Sequence, residues 1–554
     1  MVSTFNGLEV AKRALHTQQS ALYTTGHNIA NANTEGYTRQ RVNFVQSSPY
    51  PPAARNRPEI PGQVGSGVEA GSIQRIRDSF IDKQYRQENT KVGFYETRAD
   101  MMSKMESILN EPTNEGLSET LDLFWKSLQD LSVNPEDSGA RSVVKERANA
   151  LADAFSYVHN SLQQVRANLK TEIGVDNTKV NSILDQINQL NGQIAKIEPH
   201  GYVPNDLYDE RDRLVDELSS YVDIKVDYRK STGQPSPIAE GIVTITLNTD
   251  KTDVENGNNE PIKLVDGSLD VVTGSDDAVK HLFTDFNDDN NLNAIFFAKP
   301  DREMDYEDQV AQLVANSDGE TFIYGENYNI NGKLDALIDG SGYVKDFTYG
   351  AGTPGEATGI YNDMLKKLDR LVENFVTEFN AVHESGYTLT TDANGDPVQG
   401  GAFFEGTTAD TIKVTDAILN DTDLIAASNS GDAGDGENAT DLANVYTKRA
   451  EQFISTTIPA DIQLDDKATI KSYFESVIGE MGVISQEANR MQGNSLVLRQ
   501  QVNESRQSIS AVSLDEEMTN MIQFQHAYNA AARSMTVVDE MLDRIINNMG
   551  LVGR

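Results

Sequence analysis

The sequence contains no cysteine in 554 residues. Disulfides, thiolate nucleophiles and thiolate metal sites are therefore excluded. Long apolar runs are missing too, since no stretch approaches the roughly 18 apolar residues that a membrane-spanning helix needs. The first twenty residues show neither an apolar segment nor a small-residue cleavage site, so we expect no cleaved signal peptide.

Basic residues are scarce. The chain has 47 Lys and Arg against 85 Asp and Glu, a net charge of 47 − 85 = −38. Such a chain is repelled by nucleic acid and by anionic membrane surfaces, and we expect neither as a partner.

Motifs of catalysis and metal binding are also lacking. The seven histidines are scattered, and none forms a zinc-binding pair at helical spacing. The segment 350–355 fits GxGxxG, but no βαβ unit surrounds it. Residues 392–403 begin like a calcium loop, yet Pro397 and Phe403 replace the required Gly and Glu. We therefore predict no catalytic residue, no cofactor and no metal, and a protein that is not an enzyme.

The two ends of the chain carry apolar residues at seven-residue spacing. Near the N-terminus these are Leu8, Leu15, Leu22 and Ile29. The pattern predicts either an amphipathic core helix or the seam of a coiled coil with a distant partner. In the last helix the positions predicted for assembly are Leu514, Met518, Met521, Phe524, Tyr528, Met535 and Leu542. Ser513 and Glu516 have the spacing of a capping box at its start.

An Asn-rich stretch, residues 24–44, interrupts the first helix. Asn and Gly tolerate the left-handed backbone conformation, so we expect the helix to end there in a turn followed by an extended arm. The predicted hinge residues are Asn28, Asn31, Asn33, Gly36, Tyr37 and Arg39.

The middle of the chain combines a rod with a β-rich segment. Apolar steps of three and four from Val144 to Ile197 predict a helical rod of roughly 80 Å. Further helices are expected at 79–110 and 205–220. Residues 229–355 show alternating strand patterns, including a short strand at 269–272, and Asn331-Gly332 is a hairpin signal. Residues 250–360 hold 7 Lys and Arg against 23 Asp and Glu. We expect a mainly α-helical protein with an inserted β-rich domain. Paired, coiled-coil-like terminal helices, a long-helix bundle and an outward acidic β domain would compose it. The predicted units are the N-terminal core helix, hinge and arm (1–77), the first half of the bundle (78–228), the acidic insert (229–355), the second half of the bundle (356–512) and the C-terminal core helix (513–554).

The Asn-rich stretch also carries a family resemblance. HNIANANTEGYTRQRV at 27–42 resembles the signature of bacterial flagellar rod, hook and hook-associated proteins. Four further stretches narrow the resemblance to hook-associated proteins of the hook–filament junction. They are LDLFWKSLQDLSVNPEDSGAR (121–141), PNDLYDERDRLVDELSSYVDIKV (204–226), FNAVHESGYTLTTDANGDPVQGGAFF (379–404) and SLDEEMTNMIQFQHAYNAAARSMTVVDEMLDRIIN (513–547). Glu35 and His27 depart from residues that are frequent in the family.

The resemblance implies a structural joint of the flagellum. The chain would self-assemble into a helical ring through its terminal helices. It would contact the hook protein on one side and hook-associated protein 3 on the other. A cytosolic chaperone would hold the C-terminal helix before export through the flagellar type III apparatus to the cell exterior. Two alternatives remain at this point: another axial protein of the hook type, and a surface adhesin that binds through its β insert.

Overall fold

A computed structural model describes residues 5–50, 55, 62–109, 116–248, 261–268, 271–316, 321–323, 330–345, 347, 355–455, 458–459 and 462–548. The outermost residues of the predicted terminal units and residues 350–354 of the GxGxxG segment lie outside this part. The helices are α1 Asn6–Ala30, α2 Ser79–Leu109, α3 Leu117–Val133, α4 Ser138–Ile197, α5 Asn205–Tyr221, α6 Tyr306–Asn316, α7 Gly332–Ser341, α8 Ile360–Ser385, α9 Asp416–Asn420, α10 Glu437–Asn444, α11 Ile470–Ser510 and α12 Leu514–Asn548. The strands are β1 Gln40–Gln46, β2 Val68–Arg75, β3 Ile224–Arg229, β4 Ile242–Leu247, β5 Lys263–Val265, β6 His281–Phe286, β7 Leu292–Ala298, β8 Thr321–Ile323, β9 Tyr343–Val344, β10 Ala357–Thr358, β11 Tyr387–Thr391, β12 Pro397–Gln399, β13 Phe404–Glu405 and β14 Lys413–Val414.

The predicted rod is a single helix, α4, of 60 residues. The Asp137 carboxylate caps its start by accepting bonds from the backbone N–H groups of Gly139 and Ala140, at 3.0 and 3.3 Å. Its end follows from Pro199 and from Gly201, whose φ of 84° no other residue adopts easily. At 1.5 Å per residue, α4 is about 90 Å long.

Two small sheets contain the strands of the predicted insert together with the flanking strands β3 and β10. One has the order β3-β4-β5, and β3 and β4 pair antiparallel from Ile224 opposite Leu247. The other has the order β10-β9-β7-β6, with β8 added beside β7. The hairpin expected at Asn331-Gly332 is wrong, because Gly332 begins helix α7 and Asn331 is its N-cap residue with a φ of 49°. Residues 271–272 of the strand expected at 269–272 are not in a strand, and the other two are outside the described residues.

A continuous apolar core joins the insert to the bundle. Val243, Ile245 and Leu292 of the insert are fully buried in the same cluster as Phe155 and Leu162 of α4. A second, small cluster lies beneath α6. The domain boundaries at 229 and 355 therefore stay predictions, since the strands between them share their core with the long helix α4.

Asparagines of α4 anchor the insert. Asn181 donates from Nδ2 to the Leu282 carbonyl at 2.9 Å and accepts the Leu282 N–H at 2.7 Å. Asn191 makes the same two-point contact with Val243, at 2.8 and 3.1 Å. An amide group thus replaces a neighbouring strand, which satisfies the backbone of β4 and β6 where each meets the helix.

Two antiparallel helix pairs carry the terminal part of the fold. In the first, α1 lies against α12, so that a Cβ added to Gly7 would be 3.4 Å from Val538 while Asn28 bonds Glu517. In the second, α2 lies against α11, and Arg506 bonds Asp82 at 3.1 Å. The hairpin β1–β2 lies beside α1 and joins the two pairs.

Candidate assembly hinge

Asn28 is the centre of the predicted hinge. Its side chain is 1% exposed. Nδ2 donates to the Gln40 carbonyl at 2.8 Å and to Glu517 Oε2 at 3.1 Å. Oδ1 accepts from the Tyr37 hydroxyl at 2.8 Å and from the Gln40 N–H at 3.0 Å. One amide therefore fastens α1, the start of the arm and α12 to each other.

Arg39 makes a second connection, between the start of the arm and α12. Its guanidinium bonds Glu517 through Nε at 2.8 Å and Glu516 through Nη2 at 2.8 Å. Its backbone N–H donates to the carbonyl of Ser510, the last residue of α11, at 3.0 Å. Both carboxylates lie in the first turn of α12, where negative charge is favoured by the helix dipole. Arg39 bonds both oxygens of the Glu516 carboxylate, and the capping box expected for Ser513 and Glu516 stays a prediction.

The turn itself depends on Asn31 and Gly36. Helix α1 ends at Ala30, and Asn31 is its C-cap residue. Gly36 has a φ of 81°, and a Cβ there would lie 3.2 Å from Cβ of Arg213. Tyr37 points back onto α1, where His27 Nδ1 lies 3.0 Å from its hydroxyl. Burial, together with Asp209 nearby, raises the pKa of Tyr37. Asn33 is exposed.

The N-terminal seam is only half covered. Leu8, Leu15, Leu22 and Ile29 are all half-buried, whereas the fully buried residues of α1 are small or polar, such as Ala11, Thr17 and Ala21. The small side chains allow close approach of the neighbouring elements. Thr17, for example, donates from its hydroxyl to the Val68 carbonyl at 3.2 Å. The leucines lie at the border of the packed face.

The C-terminal seam divides into two faces. Half-buried positions on α12 are Met521, Phe524, Tyr528, Met535 and Leu542. Phe524 also meets Phe44 of the arm edge-on, with ring centres 5.9 Å apart. Leu514 and Met518 are 48% and 57% exposed and do not share this half-buried face.

Sequence reasoning missed a charged network behind the hinge. Arg75, at the end of β2, bonds Asp209 and Asp212 of α5 at 2.7 and 2.8 Å and also contacts Glu240. Asp209 in turn accepts the Thr38 N–H at 3.1 Å, which connects the network to the hinge backbone.

The network extends to the second helix pair. Arg77 bonds Asp212 at 2.9 Å, and Arg506 of α11 bonds Asp216 at 2.6 Å. Arg86 of α2 bonds the same Asp216 at 2.7 Å. These groups come from the arm, α2, α5 and α11, so the network holds the base of the hinge to both halves of the bundle.

Balanced charge makes this burial tolerable. Burial alone would raise the pKa of Asp212, but the surrounding Arg77, Arg75, Arg211 and Arg86 lower it far below its usual range. Burial would likewise lower the pKa of Arg75, but Asp212 and Glu240 raise it. A signal was present in the sequence, because Asp209, Asp212 and Asp216 are spaced by three and four and so share one face of α5. Their partners Arg75, Arg77, Arg86 and Arg506 could not be found from spacing, since they lie more than a hundred residues away.

Neither a metal site nor a membrane-spanning helix is found in the described part of the chain. Within them, no group of three His, Asp or Glu side chains is arranged to hold a metal ion. No helix in the same part of the chain is both long and apolar enough to cross a membrane.

Three family models match the chain, two at its terminal helices and one over its middle. One, described as flagella basal body rod protein, matches residues 8–38, which are α1 and the hinge. Another, the flagellar basal body rod FlgEFG protein C-terminal region, matches residues 504–549 and so includes α12. A third, the flagellar hook-associated protein FlgK helical domain, matches residues 102–404.

Relatives match over the full length. Flagellar hook-associated protein 1 of Bacillus subtilis (strain 168) is 41% identical over 565 residues, covering 100% of both chains. The protein of the same name from Escherichia coli (strain K12) is 26% identical and covers 97% of this chain and 98% of its own. The solved flagellar hook junction protein FlgK from Burkholderia pseudomallei has a similar fold, with a TM-score of 0.52 at 13% identity. That likeness covers 78% of this chain and 100% of the other.

The terminal helix pair with its hinge defines a component of the flagellar axis, in the class of rod and hook proteins. Within that class the chain belongs to the flagellar hook-associated protein 1 family, whose members are structural proteins of the hook–filament junction. The resemblance expected from the sequence is confirmed. The family decides against the hook-type and adhesin alternatives.

Proposed function

We propose that the chain joins hook to filament by packing its α1–α12 pair against the same pair of other copies, in a ring that lines the inner tube. One observation carries this proposal. Large apolar side chains of α12 stay exposed near both ends of the helix. They are Leu514, Met518 and Ile522 near its start and Val537, Met541, Ile545 and Ile546 near its end, each between 42% and 71% exposed. Exposed apolar residues at helical spacing favour a protein partner, and methionine suits a surface that repacks.

These exposed side chains support two successive partners for α12. In the cytosol a chaperone would cover them, which keeps the chain from aggregating before export without a cleaved signal peptide. After export, neighbouring copies would replace the chaperone. The ring would then contact the hook protein on one side and hook-associated protein 3 on the other. No catalytic role is proposed.

The terminal pair is expected to be weak in the free chain. Its seam residues on both helices are at most half-buried, and isolated helix pairs are marginal in water. We therefore expect the termini to become stable only in the assembled ring. Limited proteolysis of the purified monomer tests this, and termini that resist digestion would contradict it.

Assembly itself is tested by placing charge in the seam. Met521→Asp with Met535→Asp should leave the bundle folded, with the melting temperature of its main transition unchanged, but should abolish filament growth. The matched control is Gln525→Asp with Asn529→Asp, which adds the same charge at exposed positions. Normal filaments in the seam variant would contradict the proposal.

A further inference from the structure

The outer face of α4 is almost free of charge. Between Ala154 and Ala195 the exposed residues include one charged side chain, Lys179, and it bonds Glu217 at 2.8 Å. Eleven of the exposed residues follow one another in steps of three or four and form a single line along the helix. This uncharged stripe is Tyr157, Asn160, Gln164, Asn168, Thr171, Val175, Thr178, Ser182, Gln186, Gln189 and Gln193. Over 36 residues it is about 54 Å long.

The stripe is uncharged although its surroundings are not. Charged residues of α4 at its border are directed to partners within the chain. Glu172 bonds Lys333 at 2.9 Å, and Asp185 bonds His281 at 3.0 Å. The side of α4 opposite the stripe is occupied by the core and the insert. Tyr157 and Val175, the largest apolar members, are 69% and 63% exposed.

A chain with a net charge of −38 does not need a neutral stripe for solubility, since acidic residues serve that purpose elsewhere. A basic partner would not favour a neutral stripe either, because such a partner would be attracted by carboxylates. A neutral stripe has an advantage when the partner is equally acidic. Two such chains repel each other over most of their surfaces and can come into contact at low cost only where neither presents charge.

The chemistry of the stripe fits a helix-like contact. Each Asn or Gln amide both donates and accepts, so amides can satisfy one another when water is removed. Polar residues at such positions also fix the register of a contact, at some cost in stability. We infer that the uncharged stripe of α4 packs against a second copy of this chain, as a lateral contact in the outer body of the assembled ring. This inference rests on the proposed function, because copies meet within the flagellum.

The inference separates two kinds of contact within the assembly. The α1–α12 pair would hold the ring at its inner wall by apolar burial. The stripe would hold the helical bundles of neighbouring copies side by side, through the polar, uncharged side chains of α4.

Gln164→Glu with Gln186→Glu tests the contact, since each change adds one charge at almost constant shape. We expect the full-length variant to melt within about two degrees of the unchanged chain. Its amount in flagella isolated from cells that carry it should fall at least ten-fold. The matched control is Gln129→Glu with Gln399→Glu, two exposed glutamines away from α4, and it should be incorporated normally. Equal incorporation of the stripe variant and the control would overturn the inference.

A photo-crosslinking residue in place of Gln164 identifies what covers the stripe. In isolated flagella, we expect a crosslinked dimer of this chain. A crosslink to a different flagellar protein alone, or none at all in flagella that contain the labelled chain, would also overturn the inference. Absence of the unchanged chain from flagella would instead contradict the proposed function, so the two failures are distinguishable.

Discussion

The side-chain amide of Asn28 lies 3.1 Å from the carboxylate of Glu517, although 489 residues separate them along the chain. This bond is buried and joins the end of the first helix to the start of the last. Since Asn28 also bonds Gln40 through both donor and acceptor, the contact sets the direction in which the arm leaves the helix pair.

Asn28→Ala should release the terminal pair from the hinge. The change leaves the buried Gln40 N–H without its acceptor, and we expect a loss of about 3 kcal/mol in the local stability of the hinge. Hydrogen exchange of α1 and α12 amides measures the loss, with α4 amides as an internal reference. Asn33→Ala is the control, because Asn33 is exposed; equal exchange in both variants would show that Asn28 is not the centre of the hinge.

Replacement by alanine should change local stability in opposite directions at two glycines near the hinge. Gly36→Ala forces a side chain into the left-handed region beside Arg213 and should destabilise the hinge by about 1–2 kcal/mol. Gly26→Ala lies inside α1 with open space around the new Cβ and should stabilise the helix by about 1 kcal/mol. Hydrogen exchange of α1 distinguishes the two, and a destabilising Gly26→Ala would mean that the helix is constrained in a way its surroundings do not reveal.

Asp212→Asn should be the most damaging change in the charged network. Asp212 is 2% exposed and is surrounded by four arginines, so its neutralisation leaves buried positive charge without compensation. We expect a loss of about 3–5 kcal/mol in the free energy of unfolding, measured with chemical denaturant. Asp227→Asn is the matched control in an exposed pair with Lys225, and it should cost less than about 1 kcal/mol. Similar costs for both would contradict the importance of the network.

His383 should make the bundle sensitive to acid. Its buried ring contacts the Gly401 carbonyl through Nδ1 at 2.6 Å and accepts the Ala426 N–H at Nε2, at 2.9 Å. Burial lowers its pKa from 6.5 to about 4. Between these values the unfolded chain binds more protons than the folded chain, so stability is lost as the pH falls through this window.

The size of this acid effect follows from the shift in pKa. We expect roughly 3 kcal/mol of the stability at pH 7 to be lost by pH 4 through this group. His383→Gln removes the titrating ring, so the difference in unfolding free energy between pH 7 and pH 4 should shrink by that amount. His200→Gln, at an exposed position, should leave the difference unchanged. An unaltered pH dependence in His383→Gln would show that another group is responsible.

Local patterns predicted the helices well. The steps of three and four between Val144 and Ile197 lie within α4, and the predicted helices 79–110 and 205–220 agree with α2 and α5 to within one residue at each end. Turn chemistry was less informative, since Asn331-Gly332 has the composition of a hairpin turn but begins a helix. A glycine that accepts a positive φ serves either purpose, and only the surrounding packing decides between them.

The sequence by itself determined that the two ends are helices with apolar seams, that an Asn-rich turn follows the first, and that cysteine chemistry is excluded. These properties depend on residue type and on spacing along one element, which the sequence states directly. The tertiary structure decided which polar groups meet: Arg75 with Asp212, Arg39 with Glu516 and Glu517, and Asn28 with Glu517. It also decided that Leu514 and Met518 stay exposed, and that the exposed side of α4 between Ala154 and Ala195 bears no free charge. Such relationships join elements that are distant in the chain, and folding alone brings them within bonding distance.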